Sequence, residues 1–125
     1  MGRIKQYIDV GNQRHWALFD SGARNTYLTK AAAANLQTFE SPKINPVALG
    51  GKVHTIKEDC RLVCKINGYD IIDTAFVLDS IGIDEEGKTI EVLIGALLMQ
   101  RWGIILIPEK EEIDMSHYPN EFVEF

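Results

Sequence analysis

The chain has 125 residues, a formal net charge of −5, 46% apolar residues and 25% charged ones. These are the values of an ordinary globular domain, and the length fits one domain, residues 1–125, with one modest core. The acidic balance and the lack of any basic stripe point away from nucleic acid and from an anionic membrane surface.

In chain order, residues 1–10 carry Arg3, Lys5 and Asp9 and no apolar core of a signal peptide, so no secretory signal is expected. Arg3 to Val10 alternates loosely and meets Gly11-Asn12. Gln13 to Phe19 follows, which predicts a hairpin. A loop, Asp20-Ser21-Gly22-Ala23, ends this apolar strand, and Thr26 to Leu28 reads as extended. Thr29 is a good N-cap for a short helix, Lys30 to Leu36, built on four consecutive alanines. Phe39 to Pro46 reads as irregular, with Pro42 and Pro46 as breakers. Val47 to Lys57 holds Gly50-Gly51 between two extended, partly apolar arms, the pattern of a hairpin tip or a mobile loop.

Arg61 to Ile66, Asn67-Gly68 and Tyr69 to Val77 form the clearest hairpin, because Asn-Gly supplies the positive φ angles of a type I′ turn. Ser80 to Lys88 reads as an acidic, glycine-bearing loop, solvated at Asp84-Glu85-Glu86, and Ile90 to Ile94 as a buried strand. Leu97 to Trp102 predicts a short helix ended near Gly103. Ile104 to Ile107, a turn at Pro108-Glu109-Lys110, and Glu112 to Met115 predict a last hairpin, followed by a tail from Ser116 to Phe125. Many short strands with regular turns predict an all-β fold: a closed or nearly closed barrel of about ten strands with two short helices.

Cys60 and Cys64 lie four apart on a predicted strand, about 13 Å from each other, too far for a mutual disulfide. They read as reduced thiols, which with the missing signal places the chain in the cytoplasm. No apolar stretch approaches the length of about 18 residues that a membrane span requires. His15, His54 and His117 are scattered without ligand spacing, and Asp84-Glu85-Glu86 lacks the spacing of a calcium loop, so no metal and no other cofactor is expected.

The sharpest feature is Ala17-Leu18-Phe19-Asp20-Ser21-Gly22-Ala23. Three apolar residues bury a strand, and its end then places a carboxylate at the floor of a cleft. Ser21 can bond the backbone of a facing loop, and Gly22 lets two backbones approach closely. A second element, Val92-Leu93-Ile94-Gly95, ends 75 residues beyond Asp20 and runs into the apolar helix Leu97-Leu98-Met99.

These two elements resemble the Asp-Thr/Ser-Gly-Ala signature and the downstream apolar-apolar-Gly strand of retropepsin-like aspartic peptidases, the single-domain, retroviral-type family. The resemblance covers roughly Arg14 to Met115. It implies an acid-protease barrel with one lobe per chain and Asp20 as catalytic carboxylate. It further implies that Ser21, Gly22 and Ala23 shape the catalytic loop, that Ile94 and Gly95 support it, and that Leu49, Gly50 and Gly51 belong to the flap. Ala96 stands where many relatives carry Asp, Arg or Asn. The alanine-rich segment and the hairpin at Pro108 to Lys110 look closer to cellular and bacterial members than to viral ones.

Peptide hydrolysis of this type needs two carboxylates, one accepting a proton from water and one donating to the carbonyl oxygen. The chain holds one Asp-Ser-Gly. The second aspartate is therefore expected from a partner chain across a two-fold axis, giving a homodimeric endopeptidase acting on extended peptide or protein segments. The alternative is a non-catalytic dimerisation or peptide-binding module on the same fold.

Overall fold

A computed structural model of the chain describes residues 2–41 and 46–120. The breaker Pro42 and the end of the predicted tail, residues 121–125, lie outside these.

Two strands, β1 (Arg3–Val10) and β2 (Gln13–Asp20), form the first hairpin. Gly11 and Asn12 both take positive φ, 55° and 70°, so the two-residue turn has I′ character. It fixes the register as Val10 opposite Gln13 and Arg3 opposite Asp20. The short strand β3 (Tyr27–Thr29) follows the Asp20 loop, and β4 (Thr38–Glu40) lies beyond the alanines. Next come the hairpin β5 (Pro46–Leu49) and β6 (Lys52–Thr55), then the long pair β7 (Glu58–Ile66) and β8 (Tyr69–Leu78). Asn67 and Gly68 turn that pair at φ 51° and 83°.

The remaining elements are β9 (Gly82–Ile83), β10 (Thr89–Ile90), β11 (Val92–Ile94), helix α1 (Ala96–Trp102), β12 (Ile105–Ile107) and β13 (Glu112–Asp114). Gly103 ends α1 in the left-handed conformation at φ 68°, and Pro108–Lys110 forms one 3-10 turn between β12 and β13.

Six strands close a barrel in the order β1-β2-β11-β3-β8-β7, and β7 returns to β1 through Asp9 opposite Lys65 and Val10 opposite Cys64. β11 runs parallel to β2 and antiparallel to β3. Alternation fills the barrel: Cys60, Leu62, Cys64 and Ile66 of β7 point inward, as do Ile4, Ile8 and Val10 of β1. Phe19, Leu28, Ile71 and Ile94 complete the buried centre. Each such side chain contributes about 1.5–3 kcal/mol of transfer free energy. Both cysteines are free and buried.

The structure corrects three readings. Residues 30–36 form turns, not a helix. Thr29 does cap, accepting the Ala32 N–H on Oγ1 at 3.3 Å, but one i→i−4 bond (Ala33 to Thr29) gives way to i→i−3 bonds. Ala32 and Ala33 are buried in the barrel core, and packing decides their conformation over a weak local preference. Phe39 and Glu40, read as the start of an irregular segment, belong to the edge strand Thr38–Glu40 that pairs with β7. The stretch from Ile90 to Ile94 is two strands, because at Glu91 the backbone leaves β9 and bonds Trp16 and Thr29 instead.

Among the described residues no helix is long and apolar enough to cross a membrane. Among them no cluster of three or more His, Cys, Asp or Glu side chains is gathered for a metal.

Candidate active site

Strand β2 carries Asp20 to the barrel's rim. Ala17 and Phe19 anchor it in the core, while Leu18 and Asp20 border an open cleft. The Asp20 carboxylate is almost enclosed, with 9% of its side chain exposed. The Gly22 N–H donates to its Oδ1 at 2.8 Å, and the Ala23 N–H donates to the Asp20 carbonyl at 3.1 Å, closing a tight turn. Arg3, directly across the β1–β2 ladder, donates from Nε to Oδ2 at 3.2 Å.

Ser21 is bound to Gly2 of its own chain: Gly2 N–H donates to Oγ at 3.1 Å, and Ser21 N–H donates to the Gly2 carbonyl at 3.1 Å. The Ser21 hydroxyl also lies 3.3 Å from that carbonyl. In the single chain, therefore, the serine ties the loop to the start of β1.

The second predicted element supports the loop from below. Ile94 pairs with Phe19, and the chain then passes Gly95 under residues 23–26. Gly95 N–H donates to Thr26 Oγ1 at 3.1 Å, Ala96 N–H to the Ala23 carbonyl at 2.7 Å, and Leu97 N–H to the Arg24 carbonyl at 3.1 Å. A Cβ on Gly95 would stand 2.1 Å from the Asn25 carbonyl oxygen, so only glycine fits. The bond at position 96 comes from the backbone, so alanine there removes nothing from this support.

A cavity of about 990 Å³ opens in front of Asp20. The β5–β6 hairpin borders it through Ala48, Leu49, Gly50 and Lys52, and Gly22 and Ala23 line its floor. Ser21, Gly51, Ile94 and Gly95 do not line it. Leu18, Ala23, Leu49, Ile81 and Leu93 give it apolar walls backed by a second, smaller core around Tyr27, Ile56 and Leu78. Gly50 and Gly51 turn the hairpin tip at φ 56° and 80° with open space around them.

The acidic segment beyond Ser80 is largely solvent-exposed, as read, and it also borders this cavity through residues 80–86. Asp84 is buried and organises the turn: Oδ1 accepts from Glu86 N–H at 3.0 Å and Lys88 N–H at 2.8 Å, and Oδ2 accepts from the Trp16 indole at 2.9 Å. The Lys88 backbone bond is the main cause that holds the Asp84 carboxyl below its ordinary range, with Trp16, Glu86 and the Lys5 charge adding to it. Lys5 reaches Glu85 at 2.8 Å, and the Lys88 ammonium lies 3.8 Å from the Trp16 ring centre.

Of the residues singled out from the sequence, Asp20, Gly22, Ala23, Leu49 and Gly50 border one cavity. The sequence reading missed Arg3, Gly2, Thr26 and Asp84. Arg3 had a usable signal: a two-residue Gly11-Asn12 turn makes positions 3 and 20 cross-strand partners.

No protein-family model matches the chain, and no curated protein does. Solved structures do. The retroviral protease-like domain of Ddi1 from Leishmania major superposes with a TM-score of 0.66 at 15% identity, over 93% of this chain and 90% of that one. EIAV protease, solved in complex with the inhibitor HBY-793, superposes with a TM-score of 0.62 at 17% identity, over 85% of this chain and 93% of that one. The chain has a retropepsin-like, all-β fold similar to these retroviral protease-like domains.

Proposed function

We propose that the chain is an aspartic endopeptidase whose active site forms between two copies, each supplying Asp20. The observation that carries this reading is the enclosed carboxylate at the end of β2, set by the Gly22 N–H at the floor of a cleft that the β5–β6 hairpin borders. Two such carboxylates about 3 Å apart share one proton. The ionised one takes a proton from water, whose oxygen bonds the peptide carbonyl carbon, while the protonated one donates to the carbonyl oxygen. Collapse of the tetrahedral species breaks the C–N bond and returns a proton to the leaving nitrogen. The β5–β6 hairpin serves as the flap over an extended substrate, with Leu49 and Gly50 facing it and Gly51 giving the tip its turn. The apolar patch of Leu18, Ala23, Leu49, Ile81 and Leu93 favours apolar side chains where a substrate lies against it. The two reduced thiols fit a cytoplasmic setting.

The test is cleavage of a diverse peptide library between pH 4 and 7 by the native chain and by Asp20→Asn. Turnover is expected to vanish in Asp20→Asn while its thermal unfolding is retained. Cuts that persist in the variant would overturn the assignment.

The Arg3 guanidinium on Asp20 favours a second reading, a peptide-binding or dimerising module that performs no hydrolysis. A chain that pairs in solution, binds extended peptides and cuts none of them at any pH would establish that reading.

A further inference from the structure

Both oxygens of the Asp20 carboxylate are engaged within its own chain, Oδ1 by Gly22 N–H and Oδ2 by Arg3. The proposed reaction needs an oxygen turned to water and to the partner carboxylate, so Arg3 has to let go. Resting on the peptidase reading, we infer that Arg3 is a specificity-determining residue of the cleft: once released from Asp20, its guanidinium takes an acidic side chain of the bound peptide beside the cut.

The two partners differ in freedom. The Arg3 side chain is 65% exposed and the Asp20 side chain 9%, so the arginine can swing while the aspartate stays. Arg3 lines the same cavity as Asp20 and Gly22, so the freed fork remains in the cleft. A guanidinium meets a carboxylate with two parallel N–H bonds, a match an amide side chain does not offer.

Two of the neighbouring acids are engaged within the chain. Glu85 holds Lys5 at 2.8 Å, and the Asp84 oxygens accept from Trp16, Glu86 and Lys88. Their charge acts on a ligand through solvent at longer range and is screened, whereas Arg3 meets its ligand at contact distance. Glu86 and Glu111 also line the cavity and are the rival acceptors within the chain.

The experiment uses matched, labelled, extended peptides that differ only in Glu or Gln, placed in turn at each position. Binding is followed by fluorescence anisotropy to the full chain carrying Asp20→Asn, alone and combined with Arg3→Gln or Arg3→Lys. Asp20→Asn removes the charge that holds the guanidinium, so one Glu position is expected to bind about tenfold tighter than its Gln counterpart at low salt. The preference should fall to unity with Arg3→Gln and survive in part with Arg3→Lys. Equal affinity for Glu and Gln peptides overturns the inference, and so does a preference that persists in Arg3→Gln. Capture of the arginine by Glu86 or Glu111 gives the first of these results, and failure of every peptide to bind overturns it too. Cleavage by the native chain is scored separately: its absence counts against the peptidase reading while leaving the Glu-to-Gln binding ratio readable.

Discussion

A methyl group at position 95 has nowhere to go. Its nearest neighbours would be the Asn25 carbonyl at 2.1 Å and 2.6 Å and the Arg24 oxygen at 2.8 Å, all backbone. Gly95→Ala is therefore expected to push residues 24–25 off the strand end, breaking the bonds from positions 95, 96 and 97 that carry the Asp20 loop. Urea unfolding should show a loss of about 3 kcal/mol or more. A variant as stable as the native chain would mean the loop can shift freely, contrary to its bonding. The glycine was legible from the sequence as part of an apolar-apolar-Gly pattern, but its reason was not, since Asn25 is brought to it only by folding. Arg3 was the reverse case. Its distance from Asp20 follows from the turn length alone, yet a lone arginine near a terminus carries no motif to draw notice.

Elements behaved according to how much their own residues decide. The hairpins at Gly11-Asn12 and Asn67-Gly68 were readable because the turn chemistry fixes them locally. The alanine run was not. Its helix preference amounts to a few tenths of a kcal/mol per residue, and burying Ala32 and Ala33 against the barrel outweighs that in so short a segment.

The wall built on Asp84 makes a testable element. Its carboxyl is held below the ordinary value of 3.8, so the anchoring is complete above that value and is lost as pH falls through the lower, folded one. Trp16 reports the event, because its indole N–H donates to Asp84. On acidification Trp16 fluorescence should change at a pH below 4, and Asp84→Asn should abolish that step. The same variant should raise KM more than it lowers kcat, since Ile81 and Ile83 line the cleft from this wall while Asp20 is untouched. A kcat loss with unchanged KM would place Asp84 elsewhere in the mechanism.

At the scale of the whole molecule, the barrel shields its two thiols. Burial, with Asp59 nearby, pushes Cys60 up to about 11, and burial, with Asp73, pushes Cys64 up to about 12. Both are thus protonated at neutral pH and enclosed between strands. A thiol-specific disulfide reagent should label neither in the native chain, and labelling should follow unfolding in denaturant. Rapid labelling without denaturant would show that β7 opens on its own.

Assembly is the other global property. Sedimentation should show mass rising from one chain toward two with concentration, and peptidase activity should rise with it. A strict monomer with full activity would refute the two-copy site.

The parallel pairing of β11 with β2 ties the reactive loop to residues made much later by the ribosome. Asp20 emerges early, but the strand end and helix start that carry its loop follow some 75 residues behind. The long-range closure this requires is slow, because its entropy is spent before its contacts form. Until those residues emerge, a nascent chain lacks the backbone bonds from residues 95–97 that carry the Asp20 loop. Full support of the loop waits on completion of the barrel, and on the two-copy reading a growing polypeptide holds only one carboxylate of the pair.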